Sequence, residues 1–136
     1  MAYQITRKKR VKEALELCNE DGLVALRLDV DIDIDAMGAR IAETRDTLRI
    51  AQELIEREPD NEKAQEAFGM SVIALFAVVF GKDGADNILA FYDGNYGEML
   101  IDVFPFINDV VMPSVDEASA ARKQQILDIA NAMRKK

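Results

Sequence analysis

Residues 24–35 constrain this chain more than any other stretch. Leu26, Leu28, Val30, Ile32 and Ile34 alternate with Arg27, Asp29, Asp31, Asp33 and Asp35. Successive side chains of an extended strand point to opposite faces, so a period of two predicts a half-buried β-strand, apolar on one side and acidic on the other. Such a strand leaves its backbone donors and acceptors unsatisfied until a second strand pairs with it. The nearest candidate lies in residues 3–18, joined through Asn19-Glu20-Asp21-Gly22, a turn-rich link of hairpin length. Val11, Leu15 and Leu17 then share a face. A competing reading makes residues 7–18 a helix, because Val11, Ala14, Leu15 and Cys18 also fit helical spacing and Glu, Ala and Leu favour helix. The hairpin is the preferred reading, because it supplies the missing ladder partner.

From residue 36 to 58 the period changes. Met37, Ile41, Thr44, Leu48, Ala51 and Ile55 recur every three or four residues, a seam along one side of a helix about 35 Å long. Asp35 is placed to cap its first turn and Pro59 to stop it. Ile50 and Leu54 widen the apolar face, which suits packing inside a bundle. Asp60 or Asn61 opens a second helix that becomes uniformly apolar over residues 70–80 apart from Ser71, and Gly81, Lys82 and Asp83 close it. That run is shorter than the roughly 20 residues a membrane span needs, so it predicts a buried core helix. Asp83 and Asp86 mark another helix start, and Asn95 with Glu98 has the pattern of a capping box. Pro105 predicts a kink, and Pro113, Ser114 and Glu117 predict a boundary made of a breaker, a cap and its reciprocal partner. The last helix carries Val115, Ala118, Arg122, Ile126, Ile129 and Met133 along one side, and basic residues suit its C-terminal end. The fold expected is α+β and mainly α: one domain over residues 1–136, with a β-hairpin in 1–35 and a compact bundle of about four to five helices in 36–136.

Composition narrows the chemistry. The chain has 136 residues, no His and one Cys, which excludes Ser-His-Asp and Cys-His sites, His metal ligands and an intrachain disulfide. Its net charge of −8 repels nucleic acid as a whole. The basic run Arg7-Lys8-Lys9-Arg10, with Lys12, offers opposite charge across the hairpin to the acidic strand face. No apolar stretch of the secretory kind follows it, so export by that route is not expected, and a cytoplasmic protein is. Asp29, Asp31, Asp33 and Asp35, all on one strand face, are the first carboxylate set that suggests a divalent cation or a hydrolase, and Asp93 to Glu98 also looks like a small calcium loop. The EF-hand pattern fails from Asp31, because its sixth and twelfth positions are Ala36 and Ala42. A solvated acidic face that blocks edge-to-edge pairing accounts for the same four residues. Asp93-Gly94-Asn95-Tyr96-Gly97-Glu98 is likewise explained as one helix end meeting the next helix start. No catalytic residue and no cofactor is expected.

The aromatic and Met residues gather in the central third. Residues 97–112 carry two apolar rows, Met99, Val103, Phe106 and Val110 beside Leu100, Phe104, Ile107 and Val111, so this helix must be surrounded. In a chain this small, a partner is expected to supply part of that cover, either a second copy or another protein. Phe91, Tyr92, Tyr96, Met99, Phe106 and Met112 are the expected partner-binding residues.

The stretch FGKDGADNILAFYDGNYGEMLIDVFPFINDVVMP (residues 80–113), with the hairpin segment LELCNEDGLVALRLDVDID and the helix after it, resembles small phage and prophage proteins of the tail assembly chaperone type. The resemblance is one of layout and hydrophobic character and spans roughly residues 11–130. It implies a non-enzymatic role: association with the tape-measure protein, whose long apolar helices are kept soluble, and recruitment of tail-tube subunits in the bacterial host cell during phage assembly. No catalytic residue carries over.

Overall fold

The alternating strand forms where its period places it. The computed structural model of the chain describes residues 1–6 and 10–135. In it, β1 (Val11–Cys18) pairs antiparallel with β2 (Val24–Ile32). The register runs from Val11 opposite Ile32 to Leu17 opposite Leu26, then slips so that Cys18 faces Val24 and Ala25 is the extra residue of a bulge. Gly22, at φ 81°, turns the chain and donates its N–H to the Asn19 carbonyl at 2.9 Å. The hairpin wins over the helix for residues 11–18 because each strand gives the other its ladder. Val11, Leu17, Leu28, Val30 and Ile32 are buried, while Lys12, Glu16, Arg27, Asp29 and Asp31 face solvent. Arg7, Lys8 and Lys9 lie outside the described residues.

β2 runs almost directly into α1 (Ile34–Arg57). The cap is Asp33 and not Asp35: its carboxylate accepts from the N–H groups of Asp35 and Ala36 at 3.1 and 3.4 Å. Asp33 keeps extended backbone from the strand, as an N-cap requires, so the helix starts two residues earlier than expected. Ile41, Leu48 and Ala51 of the expected seam are buried, and Met37, Thr44 and Ile55 are half-buried. Leu54 is half-buried too, but Ile50 is exposed and does not widen the packed face.

Asn61 caps α2 (Glu62–Phe91), accepting from Lys63 and Ala64 N–H at 2.9 and 3.2 Å. The expected close at Gly81 is a break without a loop. Gly81 adopts φ 79°, ψ 162°, a conformation open essentially to glycine alone, and the helix resumes at once toward Phe91. By length and composition α2 is long and apolar enough to cross a membrane, unlike the shorter apolar run inside it. It packs on α1, on β2 and on the next helix, burying Val72, Leu75, Phe76, Val79 and Ile88.

Asp93 and Gly94, both at positive φ, turn the chain, and Asn95 caps α3 (Tyr96–Phe106) through Glu98 N–H at 3.1 Å. Pro105 lies inside α3, and Pro113 does not make the boundary expected of it. α3 continues past Pro105 into one wide π-type turn (Ile107–Val111), whose closing bond runs from Met112 N–H to the Ile107 carbonyl, and on into α4 (Met112–Arg134). The wide turn adds a residue just before Pro113, where the ring would otherwise crowd the carbonyl four positions back. Pro113 thus occupies a first-turn position, and its missing N–H costs nothing there. Ser114 lies within 3.1 Å of Glu13 Oε1 and 3.2 Å of the Val110 carbonyl, so its hydroxyl is engaged there and not as a cap. Among the described residues helical structure therefore forms three runs, α1, α2 with its break at Gly81, and α3 joined to α4, where four to five helices were expected.

The turn has a packing reason as well. Met99, Val103, Ile107, Val111 and Val115 recur every four residues and all are buried. At 3.6 residues per turn such a row drifts about 40° per step, enough to leave the core within a few turns. One wide turn in the middle returns it.

Candidate partner-binding surface

The acidic strand face does not converge. Asp29 and Asp31 are on β2, Asp33 is the cap, and Asp35 lies in the first turn of α1, so the four do not share a strand face. Each has a cation or a backbone donor. Arg27 Nη2 meets Asp29 at 3.2 Å, Arg10 bonds Asp31 and reaches Asp33 at 3.4 Å, and Arg122 Nη2 meets Asp35 at 2.8 Å. Among the described residues no group of three or more Asp, Glu or Cys is placed to hold a metal ion. Cys18 is exposed at the end of β1.

The central aromatic set is mostly enclosed by its own chain. Tyr92, Met99 and Met112 are buried, and Phe91, Tyr96 and Phe106 are half-buried. Phe106 stacks on Phe80 with centroids 6.1 Å apart, and Phe91 meets Tyr92 edge-on at 5.0 Å. Of the two rows on residues 97–112, Met99, Val103, Ile107 and Val111 are buried in the same core, Leu100, Phe104 and Phe106 are half-buried and Val110 is exposed, so the chain itself covers most of these rows but not all. Burial, followed by the charge of Asp102, a hydrogen bond to it and the charge of Glu98, pushes the Tyr92 phenol up to about 12. Burial also raises the Tyr96 phenol.

Single exposed apolar side chains such as Ile50, Met70 and Ile101 lie elsewhere, and four lie together on the far half of α4. Ile126, Leu127, Ile129 and Met133 are exposed by 59, 55, 60 and 73%. They continue the row that begins with Val115, which is buried, and Ala118, which packs on the core. The row leaves the body near Arg122, which pairs with Asp35 in the first turn of α1. Beside this point a cleft of about 650 Å³ opens between the hairpin base and α4. Val11, Ile32, Ile34, Ala118 and Ala121 supply its apolar lining, and Arg10, Asp33, Asp35 and Arg122 its charges. Those charges are satisfied mutually. What the cleft and the stripe together offer is shape and apolar contact.

The sequence places Ile126, Ile129 and Met133 on one side of the last helix but does not mark that side as uncovered. The signal it does carry is compositional. Residues 122–136 hold Arg122, Lys123, Arg134, Lys135 and Lys136 against Asp128 alone, in a chain of net charge −8. No protein-family model, curated protein or solved structure matches this chain.

Proposed function

We propose that this chain is a non-enzymatic binding protein of the phage tail assembly chaperone type, which holds apolar helical segments of a tape-measure protein and helps bring tail-tube subunits to it in the host cytoplasm. One observation carries the reading: the apolar row of α4 runs out of the core and stays uncovered over its last three turns. Isolated short helices are marginal in water, and a helix with exposed Ile, Leu and Met gains most when another chain covers it. The half-buried Phe91, Tyr96 and Phe106 extend the contact set on the body of the protein. Co-expression with the long helical protein encoded in the same gene cluster tests the reading. Capture and solubilisation of that protein is the expected result, and an insoluble partner with the chain left free in solution refutes it.

A further inference from the structure

We propose that the far half of α4 is a docking face for one kind of partner, an amphipathic helix whose apolar stripe is flanked by carboxylates. This deepens the reading above and rests on it. Ile126, Ile129 and Met133 form one exposed row. The adjacent row is Lys123, Leu127 and Arg134, so the apolar strip is edged by cations about 16 Å apart along the axis. Neither cation forms an ion pair among the described residues, so both are open to a partner's carboxylates. The helix end is thus apolar and positive on an otherwise strongly negative protein, which selects a partner of opposite charge. A second copy of α4 is the wrong partner on the same grounds. Antiparallel pairing centred on Ile129 sets Lys123 against Lys135, and parallel pairing sets each cation against its twin. Nucleic acid fits the cations but gains nothing from the row of Ile and Met. The matching helix carries Asp or Glu three turns apart beside its own Leu or Ile row.

The probe is a synthetic amphipathic helical peptide of about twenty residues with Glu flanking a Leu row, compared by fluorescence anisotropy with the same peptide carrying Lys for Glu. The full chain is expected to bind the Glu peptide and not the Lys peptide. Lys123→Glu with Arg134→Glu is expected to weaken the Glu peptide by about fivefold or more and to admit the Lys peptide. Ile129→Asp with Met133→Asp is expected to weaken the Glu peptide by roughly tenfold or more. All four positions are exposed, so circular dichroism is expected to be unchanged. Equal binding of both peptides, or of neither, overturns the proposal. So does a dimer of the chain that Ile129→Asp dissociates, or duplex DNA binding that depends on Lys123 and Arg134 but not on Ile129. Capture of the tape-measure partner by the Ile129→Asp, Met133→Asp variant as well as by the parent chain removes this face and leaves the proposed function standing. Peptide binding as expected with no tape-measure capture does the reverse.

Discussion

Gly69 shows how one side chain is placed by the lack of another. It is buried on α2, and a Cβ built there would lie 1.6 Å from the Tyr96 hydroxyl. Gly in a helix interior ordinarily costs about 1 kcal/mol relative to Ala, so Gly69→Ala stabilises if helix propensity alone decides. The overlap with Tyr96 reverses the sign. Gly69→Ala is expected to destabilise by about 1–3 kcal/mol in urea unfolding, and the loss is expected to vanish or invert in a Tyr96→Ala background. Tyr92 gives a second test at this scale. Its phenol is raised from 10.0 to about 12 in the fold, so the neutral, protonated form is the one the native state favours. The resulting stabilisation is fully present below pH 10 and is lost as pH rises through about 12. Thermal unfolding between these values is expected to show a steeper alkaline loss for the parent chain than for Tyr92→Phe, and equal slopes would contradict the burial and Asp102 contacts invoked.

At the scale of elements, what the sequence discloses depends on whether a local pattern decides the outcome. β2 was legible because alternation over nine residues admits one face assignment, and β1 followed because a lone strand has no ladder. The α1 seam and the cap at Asn95 were legible for the same reason, each being a short-range rule, and the α2 cap was narrowed to Asp60 or Asn61, of which Asn61 serves. Pro59 stops α1 as its local rule says, but Pro113 misled because the same rule was overridden at a distance. Pro113 reads as a breaker until one knows that an inserted residue before it opens the turn, and that insertion exists to keep Ile107 and Val111 against a core built by other elements. The Asp33 cap was missed for a subtler reason: Asp33 and Asp35 are equivalent in the alternating pattern, and only the end of β2 at Ile32 separates them. The binding surface was the least legible part. Val115 and Ile129 lie in the same row, and nothing in that row says where the body beneath it stops.

For the whole molecule, the body and the far half of α4 are separable. The core joins the hairpin, α1, α2, α3 and the first turns of α4, and its last member on α4 is Val115, with Ala118 packed against it. The ion pairs Arg45–Asp116 and Arg122–Asp35 tie α4 to α1, both between half-exposed or exposed groups and so each contributing little. Deleting residues 123–136 is therefore expected to lower Tm by less than about 4 °C while abolishing capture of the partner; a large drop in a thermal melt would show that the tail supports the body. The wide turn at Ile107–Val111 has a bearing on this same tail. It indexes the rod, because every residue downstream is rotated by whatever the turn adds. The turn absorbs one extra residue, so winding the same residues as an ordinary helix would swing Ile126, Ile129 and Met133 through about 100°, and one turn inside the core thereby aims a surface some fifteen residues away without changing any residue on it.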